Sequence, residues 1–589
     1  MEFDNSGGSV YHKTQALYIR SLDGQLNRIA GPHQQQMREI WQLIQPQLPR
    51  ELGDISATPR SVSYTESTGS TPVELIVYES PREGGNAIFG MILQTPACEP
   101  ENVFQDFFVK LLLKQMRLHA EKALEFSQII DKPDRTRAIV DLFDNYLRHT
   151  GTQDQWHQGG RDYFEGRVRH FTSRNAKVEF CLPAFPCKSS NPEKVMGNLP
   201  DRGEEMALLR LHSFVREIEA IYEPGAKVWI ISDGHVFSDC IGVDDDMVDR
   251  YTASLVAMNE AIDPNNGGSD RVGFKSLVDL FDLKSSAAEV ASLNIPEIDH
   301  FLHTKVTEEA ELSRKVLMSG CQSEKANLRR RIDAQEPSIL ALYRGFSRFM
   351  LEDLDLHPYT KPMTRSQRKK LSIKVSFEMI MRNQAYSNLV ELLFPDHVRL
   401  SIHAHTNSGP KFGVRLFDKH LVKTVRSLED CTETEGASSD LLHIPTPWHN
   451  CMFQFADDPK VYVAKSKIIN DALKAGHVGG GWVEWGEGHG KCFEIRKLSS
   501  SEIDSVVPHV EMEEKVKSMQ LETALKPGTT PMSAHTSSIQ IGAKSGKVGS
   551  LFSRLGTWGV YVLRLGGVAV LGLGTGLYMW SIRRISARS

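Results

Sequence analysis

Apolar positions recur along this chain at two spacings, and the two spacings divide it into elements. Runs with strand character, apolar and β-branched or alternating at every second residue, occur at Glu74–Glu79, Ala87–Leu93, Lys177–Phe185, Lys227–Ser232, Val398–His405 and Val461–Ala464. Recurrence at three and four residues predicts helices between them. One helical region spans Asn102–Leu147, through Phe107, Leu111, Leu112 and Met116 and then Ile139, Leu142, Phe143 and Tyr146. Another spans Gly203–Ile221, with Met206, Leu209, Phe214 and Ile218 inward, and a further helix covers Leu371–Phe394 before the stop at Pro395. Glu308–Leu356 is helical and heavily charged, and its basic run Arg329-Arg330-Arg331 reads as a solvated face. The first 70 residues read as polar and irregular, with one helix near Gln34–Leu48 and a Ser/Thr-rich loop at Arg60–Thr71. Strand–helix–strand with mostly apolar strands predicts an α/β fold, a Rossmann-like and largely parallel sheet with flanking helices.

The polar residues that follow the strands carry the candidate chemistry. In such a sheet, ligands gather at the carboxyl ends of the strands. The first strand is followed by Cys187-Lys188-Ser189-Ser190-Asn191-Pro192-Glu193-Lys194, the second by Asp233-Gly234-His235, and the third by Asn407-Ser408-Gly409-Pro410-Lys411. In VRLSIHAH, alternation puts Leu400, Ile402 and Ala404 on one face and Arg399, Ser401, His403 and His405 on the other. A face of Arg, Ser and two His suits an anionic, oxygen-rich ligand or acid–base work near neutral pH. A metal reading of His403 and His405 needs a third ligand from His449, Asp233 or His235, none at a diagnostic spacing. Lys188 and Lys194 fit a phosphate or a Schiff base, and Asp233 fits a base. Arg382, Asn383 and Tyr386 cluster on their helix, although Lys374, Glu378 and Arg382 at four-residue spacing also fit a surface ladder. Asp244-Asp245-Asp246 reads as a helix cap before Met247. Leu441–Cys451 is a proline-stiffened loop presenting Trp448, His449 and Asn450. The glycine-rich Val478–Lys491 fails as a P-loop, because Trp485 and Cys492 occupy positions that need Gly and Ser/Thr, and it reads as a hairpin.

Composition narrows this picture at three points. The formal charge of −5 gives no electrostatic case for nucleic-acid binding. The eight cysteines (98, 181, 187, 240, 321, 431, 451 and 492) form no CxxC and read as reduced thiols. The amino terminus lacks a basic segment followed by an apolar one, so no secretory signal is expected. Ser499–Ser550 is Ser-, Thr-, Lys- and Gly-rich and reads as a disordered linker. Beyond it, Leu565–Ile582 carries no charge and is flanked by Arg564 and by Arg583 and Arg584. A helix of that length spans about 27 Å, enough for a thin bilayer. The expectation is a C-terminal transmembrane helix, a tail anchor that leaves the rest of the chain in the cytosol. The expected organisation is an N-terminal extension at 1–100, a catalytic domain at 101–498, a linker at 499–550 and a membrane-anchor segment at 551–589.

Several of these loops, taken together, have a familiar order. LPAFPCKSSNPEKVMG from Leu182, SDGHVFSD from Ser232, MIMRNQAYSN from Met379, VRLSIHAH from Val398, NSGPKF from Asn407 and TPWHN from Thr446 resemble the isocyanide synthase family. That family groups fungal spore-wall dityrosine enzymes with bacterial pyoverdine/paerucumarin-type isonitrile synthases. The resemblance covers roughly Phe107 to Arg496 and implies a Rossmann-like fold. It also implies an enzyme, of lyase or transferase type, that acts on the α-amino group of an amino acid, tyrosine or another aromatic, with ribulose 5-phosphate as carbon donor. The implied product is an isonitrile or an N-formyl amino acid, for a secondary metabolite or a spore-wall precursor. On this reading Lys188, Asp233, His403 and His405 are catalytic. Lys194, Arg399 and Lys411 are cations for the phosphate, Arg382, Asn383 and Asn407 meet the carboxylate, and Trp448 and His449 complete the substrate site. No cofactor or metal is implied beyond the co-substrate. Because no oxygenase triad or adenylation-sized segment follows Lys491, hand-over to a separate tailoring enzyme is expected. Two rival readings are a metal-dependent hydrolase built on His403 and His405, and a non-catalytic membrane-tethered scaffold.

Overall fold

A computed structural model describes residues 9–50, 59–64, 73–81, 87–95, 102–116, 133–149, 153–264, 270–322, 324–403, 405–431, 445–476, 478–484 and 489–498. The linker and the expected anchor therefore lie outside the described residues. Among the described residues, no helix is long and apolar enough to cross a membrane.

Three five-stranded sheets organise the described residues. The first is built from β1 (Thr14–Ser21), β2 (Leu26–Ala30), β3 (Arg60–Tyr64), β4 (Val73–Pro81) and β5 (Ala87–Gln94), in the order β2-β1-β5-β4-β3. Each neighbouring pair is antiparallel. This corrects the reading of the first 70 residues as irregular: the helix expected near Gln34–Leu48 is present at Gln34–Ile44, but β1 and β2 are unexpected and β3 occupies part of the segment read as a Ser/Thr-rich loop, while β4 and β5 beyond it match their expected strands. The reason is burial on both faces. Ala16 and Tyr18 of β1 lie under Met37, Ile40, Trp41 and Ile44 of the helix. Leu17 and Ile19 join a second core shared with the rest of the chain. A strand covered on both sides loses the polar alternation that reveals it.

The second sheet is the parallel one. It consists of β6 (Val178–Pro183), β7 (Ala226–Ser232), β8 (Val272–Ser276), β9 (Val398–Ser401) and β10 (Lys411–Gly413), ordered β10-β9-β6-β7-β8. All its pairs are parallel, as the strand–helix–strand pattern predicts. Alternation sends Phe180, Leu182, Val228 and Ile230 into one core, with helices Pro133–Phe143, Gly160–Thr172 and Arg202–Ile221. Cys181 and Ile231 point into the other, with helices Val103–Gln115, Glu308–Cys321 and Arg365–Leu393. On Arg202–Ile221 the most buried positions are Leu208, Leu211, Phe214, Val215 and Ile218, while Met206 and Leu209 are only half-buried. Phe412 of β10 packs edge-on to Phe164 and Trp156, with ring centroids 5.0 and 5.7 Å away. Aromatic pairs of this kind contribute roughly 0.5–1.5 kcal/mol each. They pin the short edge strand, so its neighbour Lys411 is presented on the opposite face.

The third sheet is mixed, with β11 (Val422–Thr424), β12 (Cys451–Phe455), β13 (Asp458–Ala464), β14 (Val478–Val483) and β15 (Cys492–Lys497) in the order β11-β13-β12-β15-β14. The glycine-rich segment is the antiparallel β14–β15 hairpin, as its sequence suggests. Asp244 stands at the N-cap of helix Asp245–Ile262, and Arg329 and Arg330 are exposed on a helix, both as expected.

Candidate active site

The parallel sheet runs outward from β6 through β7 to β8, then returns to β9 and β10 on the other side of β6. The connections diverge between β6 and β9, the place where sheets of this kind carry a ligand crevice at the carboxyl ends of the strands. VRLSIHAH does not enter this crevice as one long strand. β9 stops at Ser401; the Ile402 carbonyl accepts from Arg148 Nη1 at 2.8 Å, and His403 is exposed in the following loop. The expectation that His403 and His405 extend one strand face is therefore corrected. The backbone bends because a buried arginine takes up the carbonyl that a ladder would use, and Ala404 lies outside the described residues.

Arg399 and Ser401 still share a face, as the alternation predicts, and it is the face under helix Arg365–Leu393. Lys411 is in register with Arg399 on the neighbouring strand. Ser387 of the helix lies between the two cations: its Oγ accepts from Arg399 Nη2 at 2.9 Å and from Lys411 Nζ at 3.2 Å. His405 folds back so that Nε2 lies 2.9 Å from Ser401 Oγ. Burial, then the Arg399 charge, pushes the Lys411 ammonium down to about 8. Burial, then Lys411 and Arg399, also holds the His405 imidazole below its ordinary range. Like charges confined at low dielectric raise one another's energy, and an anion placed among them relieves that cost.

Asp233 directly follows β7 and stands at the N-cap of helix Gly234–Ile241. Burial pushes its carboxyl up to about 6, and Oδ1 has no hydrogen-bond partner among the described residues. Tyr386, one residue before Ser387, donates its hydroxyl to the Ile231 carbonyl at 2.8 Å. Burial and the Asp233 charge hold that phenol well above its usual range, while Arg399 opposes them. Tyr386 thus stands between a carboxyl that titrates near neutrality and the cationic group on β9 and β10. A carboxyl in that range can take up and return a proton at physiological pH.

A second charged cluster lies where the loop after β6 meets the third sheet. Lys194 Nζ is 2.5 Å from the buried Asp353 carboxylate and 3.9 Å above the Phe349 ring centroid. Lys465, the residue after β13, donates to the His449 carbonyl at 2.6 Å, and burial followed by Lys194 pushes it down to about 8. Burial, then the charges of Lys194, Lys465, His403 and Lys188, keeps the His449 imidazole well below its normal range. Sequence reasoning passed over Lys465, Asp353 and Ser387. Lys465 carried the one available signal, a cation directly after an apolar strand.

Four other predicted residues are engaged by the protein itself. Lys188 is buried, and its ammonium contacts Asp201 at 2.7 Å, Glu204 at 2.8 Å and the Pro447 carbonyl at 2.9 Å. Those carboxylates, which cap helix Arg202–Ile221, hold it protonated, which is unlike a Schiff-base lysine. Burial raises Glu204 to about 7. Arg382 is neither a surface rung nor open to a ligand: it pairs with Asp239 at 2.6 Å and Glu378 at 3.0 Å and donates to the Val236 and Asp299 carbonyls. Asn407, at φ +53°, donates to the Arg148 carbonyl at 3.0 Å and Asp154 at 2.7 Å and accepts from Gly413 N–H at 2.9 Å, so it braces the loop. Trp448 is buried against Phe185, with centroids 4.7 Å apart, and Asn383 is exposed. Of the metal candidates, His235 Nε2 lies 3.0 Å from Asp249. Among the described residues, no three His, Cys, Asp or Glu side chains are grouped to hold a metal ion.

Residues 168–476, which contain every side chain of both clusters, match the family model described as pyoverdine/dityrosine biosynthesis protein. The spore wall maturation protein DIT1 of Saccharomyces cerevisiae is 43 % identical over 439 residues, covering 73 % of this chain and 80 % of that protein. The L-tyrosine isonitrile synthase of Xenorhabdus nematophila is 32 % identical over 250 residues, covering 42 % of this chain and 66 % of that protein. A crystal structure of the PvcA protein from Pseudomonas aeruginosa aligns with a TM-score of 0.47 at 23 % identity, covering 61 % of this chain and 99 % of that one. The chain belongs to the pyoverdine/dityrosine biosynthesis family, whose members include enzymes named as isonitrile synthases.

Proposed function

We propose that this chain is an isocyanide synthase-like enzyme that joins the α-amino nitrogen of an amino acid, tyrosine or another aromatic, to a carbon supplied by ribulose 5-phosphate. The observation that carries this reading is the Arg399–Lys411 pair at the switch point of the sheet, joined through Ser387, with Tyr386 acted on both by Arg399 and by the Asp233 carboxyl, which burial pushes up to about 6. Arg399, Lys411 and His405 receive the phosphate. The Asp233 carboxylate accepts a proton from the substrate ammonium. The freed amine forms a bond to the ketose C2 carbonyl, giving a carbinolamine. Asp233 then returns its proton to the carbinolamine hydroxyl, which leaves as water and yields the protonated imine. His403, exposed on the loop after β9, is the candidate for proton transfer at the sugar hydroxyls. Lys188 and Arg382 hold the loops and helices that shape the site.

The 43 % identity to a spore-wall protein supports an N-formyl amino acid as a second product to look for. The test is mass spectrometry of the full chain with [2-13C]ribulose 5-phosphate and tyrosine, tryptophan, phenylalanine, valine or leucine in turn, sampled at early times. A labelled isonitrile is expected. Labelled formamide before any isonitrile would assign the spore-wall type of product, and no labelled amino-acid product would refute the reading.

A further inference from the structure

The two charged clusters differ in composition, and that difference assigns them different ligands. On the β9–β10 face, Arg399, Lys411 and His405 are answered by one acidic side chain, Glu391, which stabilises the Lys411 charge from a turn beyond Ser387 and is itself bonded by Tyr11 Oη at 2.9 Å. That excess of positive charge fits a phosphate dianion. In the second cluster, Lys194 and Lys465 are balanced by Asp353 and by Glu352, both of which act on Lys465. A cluster that combines cations with a buried carboxylate fits a ligand that carries both signs.

We propose that the cluster of Lys194, Lys465, Asp353 and His449 is the binding site for the amino-acid zwitterion, with Lys465 the contact to its carboxylate. The proposal rests on the carbon-transfer reading given above. Its geometry is contributed by separate parts of the chain: Lys194 from the loop after β6, Asp353 and Phe349 from helix Pro337–Asp355, His449 from the turn before β12, and Lys465 from the end of β13. His449 Nδ1 is buried with no hydrogen-bond partner among the described residues, so the cluster holds a polar atom that a ligand would satisfy. Phe349 stands edge-on to His449 at 5.4 Å and under Lys194, an aromatic wall beside the charges where an aromatic side chain can lie. His403, which acts electrostatically on His449, lies on the loop that also carries His405, so one loop borders both clusters. This replaces the expectation that Arg382 or Asn407 meets the substrate carboxylate, since the protein occupies both side chains.

The experiment compares Lys465→Met and Lys411→Met in the full chain, with L-tyrosine and ribulose 5-phosphate varied separately. Losing a charged hydrogen bond to one substrate weakens its binding by about 10- to 100-fold. K465M is expected to raise the KM for tyrosine by that factor and to leave the KM for ribulose 5-phosphate within about twofold; K411M is expected to do the reverse. Lys465→Arg, which keeps the charge, should restore most of the tyrosine affinity, separating a contact from a folding defect. Calorimetric titration of tyrosine alone gives a readout that needs no turnover. Wild-type binding that K465M loses supports the site even if the carbon-transfer reaction fails. Equal tyrosine binding by wild type and K465M, no tyrosine binding by wild type, or a K465M defect confined to ribulose 5-phosphate would overturn it.

Discussion

Asp233 shows how a single position carries opposite consequences for stability and chemistry. Its folded-state value, about 6, lies above that of an exposed aspartate. A carboxyl shifted upward costs nothing while it is protonated in both states, and the fold loses stability as pH rises through the folded value. At neutral pH the buried charge therefore destabilises the protein by about 1–3 kcal/mol. Asp233→Asn is expected to abolish turnover and to raise the melting temperature at pH 7, with the gain vanishing near pH 4; a lower melting temperature at pH 7 would contradict this. The same groups set the pH profile. Under the proposed roles, activity requires Asp233 ionised as the base and Lys411 and Lys465 charged, the two lysines lying at about 8. The dependence of kcat/KM on pH should thus rise through about 6 and fall above about 8, and a flat profile from pH 5 to 9 would remove all three from the mechanism.

At the scale of elements, buried charges hold the site in place. Arg382 on the long helix grips Asp239 on the short helix after β7; burial pushes that carboxyl up, and the Arg382 cation overcomes it and holds the carboxyl far below the ordinary range. Removing the cation strands Asp239 and Glu378 in the core, so Arg382→Ala is expected to cost about 3–5 kcal/mol in denaturant unfolding. A variant of unchanged stability would show Arg382 to be dispensable for the fold and return it to the substrate site. Strands β6, β7 and β9 were legible in the sequence because their apolar runs are bounded by turn residues. Strand β10 was not, since three residues following Gly-Pro carry no period of their own. The charged residues themselves were also legible. What the sequence could not show is whether the polar atoms of Lys188, Arg382 and Asn407 face a ligand or a neighbour, because their partners Asp201, Asp239 and Asp154 come from separate elements. Lys465 and Asp353 escaped notice for the same reason.

In the whole molecule, the N-terminal sheet shares a core with helices that flank the parallel sheet. Leu17, Ile19, Tyr78, Met91 and Leu93 share a core with Phe108, Ile380 and Leu389, and Arg28 pairs with Asp396 immediately before β9. Five such side chains contribute roughly 7–15 kcal/mol on burial, comparable to the stability of a whole domain. A chain beginning at residue 101 is expected to lose its cooperative thermal transition, and an intact sharp transition would make the sheet an independent domain. At the other end, we propose that Leu565–Ile582 anchors the protein in a membrane. Full-length protein should stay in the membrane pellet after alkaline carbonate extraction, and chain truncated before Leu565 should not. The central claim, that the crevice between β6 and β9 performs carbon transfer from a sugar phosphate, is tested most directly by a single-turnover measurement. Full-length wild type and D233N, both verified as folded, are mixed with tyrosine and [2-13C]ribulose 5-phosphate, and the label is followed by 13C NMR. The account predicts that the label moves onto the tyrosine nitrogen in the wild type and stays in the sugar with D233N. Transfer at equal rates in both proteins, or no transfer in the wild type, would contradict it.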